Sequence, residues 1–378
     1  MKNPFEYGGV VSGEAFCNRQ KELADLLRAM ENAEKLFVFS ERRYGKTSLV
    51  RAALARLPKK GCVHAYVDLW PTDSEATFAT AVARAMAESM SSSVEKLLDT
   101  ARKFFGSLSP SVTMDKEGRP VLAFGVAKHA PVGAALEEVL ETPARIAAQG
   151  GPRVVVVFDE FQQILEYGDD QVERKLRSVI QHHDQVGYIF LGSRKHLIEK
   201  MVLDRRRPLF GAGGRYPLGP IAEEHWQPFI GRRFADGDKR IEQQHIHNIC
   251  EITQGHPFYT QHLCHVVWEM CEAGGEVTGK TIQAAVKVLL SRESYAYTTL
   301  WESLTPSQKR FLKGLAGEAA GVKVFAGEFI GRYGLSSASN AQRAVKSLLA
   351  KDIIDRDNGS FLITDRFFRL WIQSVQAV

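Results

Sequence analysis

The chain of 378 residues lacks any uninterrupted apolar stretch that approaches the roughly 18 residues needed to cross a membrane. Its longest central apolar run covers residues 154–158 and has only the length of a strand. The N-terminus also lacks the apolar core of a secretory signal. These absences predict a cytoplasmic protein that does not span a membrane.

Cysteine is scarce, and its pattern excludes two further classes of protein. The five cysteines include no CxxC pair, and their odd number rules out a complete disulfide framework. Cys264 and Cys271 lie two helical turns apart, but nothing nearby completes a set of metal ligands, so we interpret both as buried helix residues. With 44% hydrophobic and 25% charged residues, the composition is that of a folded protein with a buried core.

A strong excess of one charge is also absent, since 49 Lys and Arg residues face 44 Asp and Glu residues. The net charge of +5 is unevenly distributed, however. Residues 305–378 contain eleven basic and six acidic side chains, and the rest of the chain contains 38 of each. The whole net charge therefore lies on the C-terminal segment, which is where contact with nucleic acid should be sought.

Short apolar runs alternate with helical patterns over the first 220 residues, one of them at 161–183, as expected for an α/β fold with a parallel sheet and helical crossovers. The run at 153–158 is β-branched and uninterrupted, which is typical of a central strand covered on both faces. Two further runs flank a turn-rich sequence at 115–118 and predict a separate hairpin. The predicted strands are 35–40, 62–69, 153–158, 187–191 and 215–218 in the sheet, and 111–114 and 120–124 in the hairpin.

After Pro220 the pattern becomes helical. Four helices are predicted first, at 222–234, 241–252, 257–272 and 278–291. The chain ends with predicted helices at 307–315, 325–333 and 339–349 and two short strands, 353–356 and 360–363, joined by an Asp-Asn-Gly turn. Three helices and a hairpin of this kind are typical of a winged helix-turn-helix.

The sequence SERRYGKT at 40–47 nearly matches the phosphate-binding loop G-x-x-x-x-G-K-[ST]. In such a loop, backbone N–H groups and a helix N-terminus face phosphate oxygens. Lys46 is the expected catalytic contact to the β- and γ-phosphates, Thr47 the expected Mg²⁺ ligand, and Gly45 allows close approach of the backbone. Ser40 replaces the first glycine of the pattern. The predicted nucleotide-binding residues are Ser40, Arg42, Arg43, Tyr44, Gly45, Lys46, Thr47 and Ser48.

Two carboxylates follow the central strand, as in a Walker B motif. We expect Asp159 to hold Mg²⁺ through water and Glu160 to orient or activate the water that attacks the γ-phosphate. The alternative is that both residues only cap the following helix. A phosphate-binding loop upstream favours the metal and catalytic roles.

Polar residues after the next strand are candidates for phosphate contacts. Ser193 is predicted to sense the γ-phosphate, whereas Arg194 either contacts phosphate as a catalytic residue or caps the following helix. The basic run at 205–207 could supply an arginine finger to a neighbouring subunit, but a solvated charge run is the favoured interpretation.

With these motifs, the sequence resembles the archaeal-type ATPase family of the STAND class, within the wider AAA+ group of P-loop NTPases. The likeness extends to the N-terminal sequence FCNRQKEL at 16–23, to GHPF at 255–258 and to LITDRFFRLW at 362–371. In the last of these, Arg366 stands where Pro is usual in the family. The resemblance implies a P-loop core in 1–220 with sheet order 5-1-4-3-2, an all-α lid in 221–300 and a winged helix in 301–378.

The resemblance also implies further contacts to the nucleotide. Gly255 and Pro257 would place a lid helix beside it, although the same pair is expected at any helix start. Phe5 and Tyr7 would lie over the adenine, unless they are only docking anchors for the terminus. His256 is either a nucleotide sensor or, as we favour, a structural histidine.

The last helix predicted before the wing presents a polar face. Its apolar positions point inward and leave four side chains that can reach bases or phosphates of double-stranded DNA: Asn340, Gln342, Arg343 and Lys346. The alternative is that the winged helix packs against the nucleotide domain as a regulatory lid.

These observations together predict a Mg-ATP-binding switch that hydrolyses ATP slowly to ADP and phosphate and moves its winged helix. Two alternatives stay open. One is a DNA-binding regulator in which the nucleotide is structural. The other is a non-hydrolysing scaffold that binds a protein partner or itself, for which Ser40 is the hint.

Overall fold

The computed structural model describes residues 2–9, 17–58, 61–90, 98–99, 102–114, 120–126, 133–149, 153–357 and 359–376. The predicted hairpin turn at 115–118, Phe16 of the N-terminal sequence and Asn358 of the wing turn lie outside these residues. Among the described residues, no helix is long and apolar enough to cross a membrane.

A five-stranded parallel sheet forms the centre of the first part of the chain. Its strands are β1 (Lys35–Phe39), β2 (Cys62–Asp68), β5 (Arg153–Asp159), β6 (Val186–Gly192) and β7 (Gly214–Pro217), and they lie in the order β2-β5-β6-β1-β7. Counted within this sheet alone, the order is 5-1-4-3-2, as the family resemblance implied. The intervening labels belong to the predicted hairpin, whose antiparallel strands are β3 (Leu108–Met114) and β4 (Pro120–Val126).

Helices cover both faces of the sheet. Alternate residues of the central strand pack into two separate apolar clusters, with Val156 and Phe158 on one face and Val155 and Val157 on the other. This explains why the strand is apolar throughout. The surrounding helices are α1 (Gln20–Glu31), α2 (Lys46–Arg56), α3 (Glu75–Met90), α4 (Ala134–Ala148), the 3₁₀ helix Phe161–Glu166, α5 (Gln171–Ile180) and α6 (Lys195–Leu203).

Two features of this region differ from the sequence prediction. The helical pattern at 161–183 is not one helix, because the chain breaks at Gly168, which has a φ of 91°, between the 3₁₀ helix and α5. Helix α1 was not predicted, although Leu23, Leu26 and Met30 form its buried face at helical spacing.

Four helices then form a lid, as predicted: α7 (Glu223–Asp236), α8 (Gln243–Thr253), α9 (Pro257–Met270) and α10 (Gly279–Glu302). The prediction ended the fourth helix at Ser291, but α10 continues for three more turns because no glycine or proline interrupts it. One apolar cluster joins the lid to the C-terminal region. The boundaries 1–220, 221–300 and 301–378 stay predictions.

The C-terminal region has the expected three helices and wing. They are α11 (Pro306–Gly317), α12 (Gly327–Arg332), α13 (Ala338–Ala350), β8 (Ile354–Asp357) and β9 (Ser360–Ile363). Thr305 and Gln308 form a capping box at the start of α11. A final helix, α14 (Arg366–Gln376), was not predicted, and it buries Phe367 and Phe368.

Candidate functional site

The loop between β1 and α2 has the backbone of an anion-binding turn. Gly45 precedes the first residue of α2 and has a φ of 82°, and Arg43 also has a positive φ, of 61°. Ser40 is not among the described residues with positive φ, so its backbone does not require the glycine of the sequence pattern. The N–H groups at the start of α2 have no helical acceptors and can bind an anion.

Lys46 is the buried cation of this loop. Its Nζ donates hydrogen bonds to Ser40 Oγ at 2.9 Å and to the Glu41 carbonyl oxygen at 2.8 Å. Burial lowers the pKa of Lys46 to about 8, against the opposite effect of Glu160, Asp159 and Glu41. The ammonium therefore lies between the backbone of the loop and the carboxylates at the end of β5.

Asp159 connects the loop to two strands. Its Oδ2 accepts a hydrogen bond from Thr47 Oγ1 at 2.8 Å and another from the hydroxyl of Tyr66, and its Oδ1 accepts one from the Glu160 N–H at 2.9 Å. A hydroxyl and a carboxylate in contact are the hard oxygen ligands that Mg²⁺ prefers, so these residues fit a divalent cation. Sequence reasoning missed Tyr66, although its strand β2 pairs in parallel with β5 and so brings it to the same edge.

Glu160 and Ser193 lie close together because each follows the end of one of two paired parallel strands, β5 and β6. Ser193 Oγ donates to Glu160 Oε2 at 2.6 Å. Gln162, which sequence reasoning did not identify as a site residue, contacts both. Glu160 has a φ of 52°, a conformation that is costly for a residue with a side chain and is often found at functional sites.

A cavity of about 740 Å³ lies between the sheet and the lid. Its polar wall includes the loop from Arg42 to Ser48 together with Asp159, Glu160 and Ser193. Its apolar wall includes Ile221, Trp226, Pro257 and Phe258 from the lid region and Tyr7 from the N-terminal segment. The two walls match the two ends of a nucleotide, whose phosphates are charged and whose base has apolar faces.

The N-terminal aromatic residues have different positions. Phe5 is 2% exposed and packs near Phe229 and Phe234 in the lid, which fits a docking anchor. Tyr7 lines the cavity and stacks on His262 with 3.9 Å between ring centroids. Only the second of the two residues is placed to contact a base.

The residues predicted to place the lid beside the nucleotide lie at the start of α9 and have different contacts. A side chain at Gly255 would place its Cβ 2.5 Å from the Ile221 carbonyl oxygen, so glycine permits this close approach, although Gly255 does not line the cavity. Pro257 is the first residue of α9 and lines the cavity. His256 Nδ1 accepts from Phe258 N–H at 3.2 Å, which leaves Nε2 to donate to the Arg42 carbonyl oxygen at 3.2 Å.

The outer side chains of the loop contact other domains. Arg43 lies over the ring of Phe258, with 4.3 Å from its guanidinium carbon to the ring centroid. Arg42 and Arg194 both bind Asp352 of the winged helix, at 3.1 and 2.8 Å. Arg194 does not line the large cavity; it also binds Glu166 at 3.4 Å.

The basic run after α6 is mostly paired within the chain. Arg207 forms an ion pair with the buried Glu173, and exposed Arg206 pairs with Asp204. Arg205 is exposed. This arrangement agrees with the interpretation as a largely structural and solvated run.

A parallel sheet of this order, a lysine-bearing loop that leads into a helix, and two carboxylates at the end of the central strand define a P-loop NTPase core, here followed by a winged helix. The chain belongs to the family of ATPase domains predominantly from Archaea, whose model matches residues 16–263. Residues 295–374 match the model of a probable winged helix domain.

Solved structures share this fold. The Walker-type ATPase of Pyrococcus abyssi matches with a TM-score of 0.65 and 17% identity over 98% of this chain and 99% of that chain. The ORC2 protein of Aeropyrum pernix, in its ADPNP-ADP complexes, matches with a TM-score of 0.54 and 14% identity over 96% of each chain. No curated protein matches the sequence.

Proposed function

We propose that the protein is a Mg-ATP-dependent switch of the STAND type that hydrolyses ATP slowly and couples the state of its nucleotide to the position of the winged helix. The observation that carries this proposal is a set of charged contacts from the phosphate-binding loop to the winged helix. The solved structure of the Aeropyrum pernix protein with ADPNP and ADP supports nucleotide binding on the same fold.

The residues of the cavity suit the two ends of ATP. The N–H groups at the start of α2 and the ammonium of Lys46 would bind phosphate oxygens, and Tyr7, Trp226 and Phe258 would contact the base. Thr47 and Asp159 would hold Mg²⁺. When bound, the ion would neutralise charge on the β- and γ-phosphate oxygens.

Glu160 and Ser193 would have different roles at the γ-phosphate. The carboxylate of Glu160 would hold the attacking water by hydrogen bonds and accept its proton, because it is the acidic group beside the Mg²⁺ ligands. The hydroxyl of Ser193 donates a hydrogen bond to Glu160 in this structure and could instead donate it to a phosphate oxygen.

The first link to the winged helix is a buried ion pair. Arg366 binds Glu41 of the loop through both terminal nitrogens, at 2.8 and 3.0 Å, and Tyr44 donates to the same carboxylate at 2.9 Å. Arg366 is 4% exposed and Glu41 is 8% exposed. The position at which the family usually has proline therefore carries the contact between α14 and the loop.

Lys46 would connect the phosphates to the ion pair of Glu41 and Arg366. It donates to the carbonyl oxygen of Glu41, whose side chain holds Arg366. A phosphate that takes over hydrogen bonds of Lys46 changes what holds the backbone at Glu41. A change in the nucleotide can thus alter the docking of α14.

A second link lies beside the first. Asp352 binds Arg42 and Arg194, and Asp355 of β8 binds His196 of α6 at 2.8 Å. Ser193 and Arg194 are consecutive, so the residue expected to contact the γ-phosphate is adjacent to one that holds the winged helix. Both links join the phosphate end of the cavity to the same domain.

Two variants test the nucleotide site. Lys46→Ala should abolish ATP binding in calorimetry, and Glu160→Gln should retain binding but lose phosphate release. Small-angle X-ray scattering with ADP and with a non-hydrolysable ATP analogue should give two different shapes for the wild type. Identical shapes would disprove the switch, and tight ATP binding by Lys46→Ala would disprove the site.

Double-stranded DNA is a second candidate ligand, favoured by the exposed face of α13. Gln342, Arg343 and Lys346 are exposed and form no ion pair with other described residues. Asn340 instead accepts a hydrogen bond from Ser307 of α11, so it is less available to bases. The third candidate, a non-hydrolysing scaffold, is separated from the switch by a steady-state phosphate-release assay.

A further inference from the structure

Gln162 is a buried amide between the two polar residues at the γ-phosphate end of the cavity. It is 3% exposed. Its Nε2 donates to Glu160 Oε2 at 2.5 Å and lies 3.4 Å from Ser193 Oγ, and its Oε1 accepts from the Ser193 N–H at 3.3 Å. The hydroxyl of Ser193 donates to Glu160 Oε2 at 2.6 Å and closes a ring of three side chains.

The local backbone brings the three residues together. Glu160 precedes the 3₁₀ helix with a φ of 52°, and this helix contacts β6. At Gly192 of β6, an added Cβ would lie 2.2 Å from Ile198 Cγ1 and 3.1 Å from Gln162 Oε1. The absence of a side chain there lets the end of β6 approach the amide. Phe161 and Ile164 anchor the 3₁₀ helix in the core.

An amide is chemically suited to this position. The carboxylate of Glu160 needs donors, whereas the Ser193 N–H needs an acceptor, and a primary amide offers both in one plane. A carboxylate at 162 would face that of Glu160 without a proton to donate. An apolar side chain would leave a buried N–H without its partner.

We propose that Gln162 is a positioning residue for ATP hydrolysis, which fixes the direction of the Glu160 carboxylate and joins it to Ser193. This inference rests on the proposed ATPase function. When Ser193 donates to a phosphate oxygen, Glu160 loses one of its two side-chain donors and keeps that of Gln162. The amide then holds the carboxylate toward the water while the serine contacts the phosphate.

The test replaces the amide without removing its volume. Gln162→Met should lower kcat by roughly 10- to 100-fold, as for a misplaced catalytic group, with KM and the Kd for a non-hydrolysable ATP analogue changed less than about twofold. Gln162→Glu keeps the shape and should be impaired at least as strongly. The matched control is Gln163→Met, because Gln163 lies on the same 3₁₀ helix and its Nε2 donates to the Thr72 carbonyl oxygen at 3.2 Å. The control should keep wild-type kcat.

A double variant tests the connection to Ser193. If the amide of Gln162 positions Ser193 as well as Glu160, its loss also costs the contribution of the Ser193 hydroxyl, so Gln162→Met combined with Ser193→Ala should have nearly the kcat of Gln162→Met alone. Multiplied effects would show independent action and overturn the connection. A Gln162→Met enzyme with wild-type kcat would overturn the positioning role.

Failure of the parent proposal has a different signature. If the wild type binds Mg-ATP but releases no more phosphate than Glu160→Gln, hydrolysis itself is absent, and the role of Gln162 in it falls as well. If the wild type turns over and Gln162→Met equals it, only the positioning role fails. A parallel loss of kcat, ATP binding and melting temperature in Gln162→Met would assign the residue to folding instead.

Discussion

The winged helix has two unlike sides. The docked side, defined here as Asp352, β8 and the start of α14, meets the nucleotide-binding core through ion pairs, one of them buried. The outer side, defined as the exposed face of α13, carries Arg343 and Lys346 and forms no ion pair with the other described residues. Asp352, Asp355 and Arg366 therefore face the core, whereas Arg343 and Lys346 of α13 face solvent.

This difference shows that the two roles considered for the winged helix do not compete for one surface. The interpretation as a regulatory lid needs the docked side, and the interpretation as a DNA reader needs the outer side. Movement of the domain would break the contacts of Glu41 and Asp352 without covering or uncovering α13. Each side can therefore be tested separately.

Arg366→Ala should have the largest effect, because it leaves the carboxylate of Glu41 buried without its cation. Breaking a buried pair in this way costs about 3–5 kcal/mol. Denaturant unfolding and limited proteolysis should show a less stable, more readily released winged helix. Glu41→Ala combined with Arg366→Ala should regain part of the loss. Arg343→Ala on the outer side is the control and should unfold like the wild type.

Asp352→Asn should weaken the docked side by a smaller amount. The carboxylate is 20% exposed and its partners Arg42 and Arg194 are 48% and 26% exposed, so the ion pairs are partly screened by solvent. We expect a loss of about 1 kcal/mol. The melting temperature and the rate of proteolytic release of the winged helix measure it. A variant as stable as the wild type that also keeps its nucleotide-dependent shape change would remove Asp352 from the coupling.

The docked side should also weaken in acid through His256. Burial, and then the charge of Arg366, hold the pKa of His256 well below its usual value of 6.5, with Lys46 acting in the same direction. The unfolded chain therefore binds a proton that the folded chain does not, and stability is lost as pH falls below about 6.5. Melting temperatures from pH 7.5 to 4.5 should fall less steeply for His256→Asn.

His247 is the natural comparison for this measurement. It is exposed, and hydrogen bonding to Glu223 raises its pKa, so its contribution to stability has the opposite sign and is present at low pH. His247→Asn should therefore steepen the decline in acid slightly. A wild type and a His256→Asn variant with parallel pH profiles would exclude His256 as the cause.

The residues of the phosphate-binding loop that line the cavity could be predicted, because phosphate binding restricts the residue types at these positions. Gly45 is needed for its φ of 82°, Lys46 and Thr47 follow it directly as in the phosphate-binding pattern, and Asp159 ends an uninterrupted apolar strand. The five strands were predicted for a similar reason, since short apolar runs between helical patterns mark a covered parallel sheet.

The contact between the loop and the winged helix could not be predicted in this way. Glu41 and Arg366 are 325 positions apart, and no local pattern indicates that they meet. Tyr66 and Gln162 were missed because the pairing of β2 with β5 and the positive φ of Glu160 bring them to the site, and neither feature is visible in the sequence pattern. Helix α14 is the exception, because the helical spacing of its buried Phe367, Phe368 and Trp371 is a local signal that could have predicted it.

Substitutions on the outer side of the winged helix should have the smallest effect on the fold and should separate the roles of the two surfaces most sharply. Arg343→Ala combined with Lys346→Ala should leave the melting temperature unchanged, because both side chains are exposed. In gel shifts of the full chain with double-stranded DNA, the same variant should bind more weakly and reduce the slope of log K against log salt by about 1 to 2. Wild-type binding should be equal with ADP and with an ATP analogue, since docking does not cover α13. Binding that follows the nucleotide would show that the two sides are coupled, and no binding at low salt would exclude DNA as the ligand of this face.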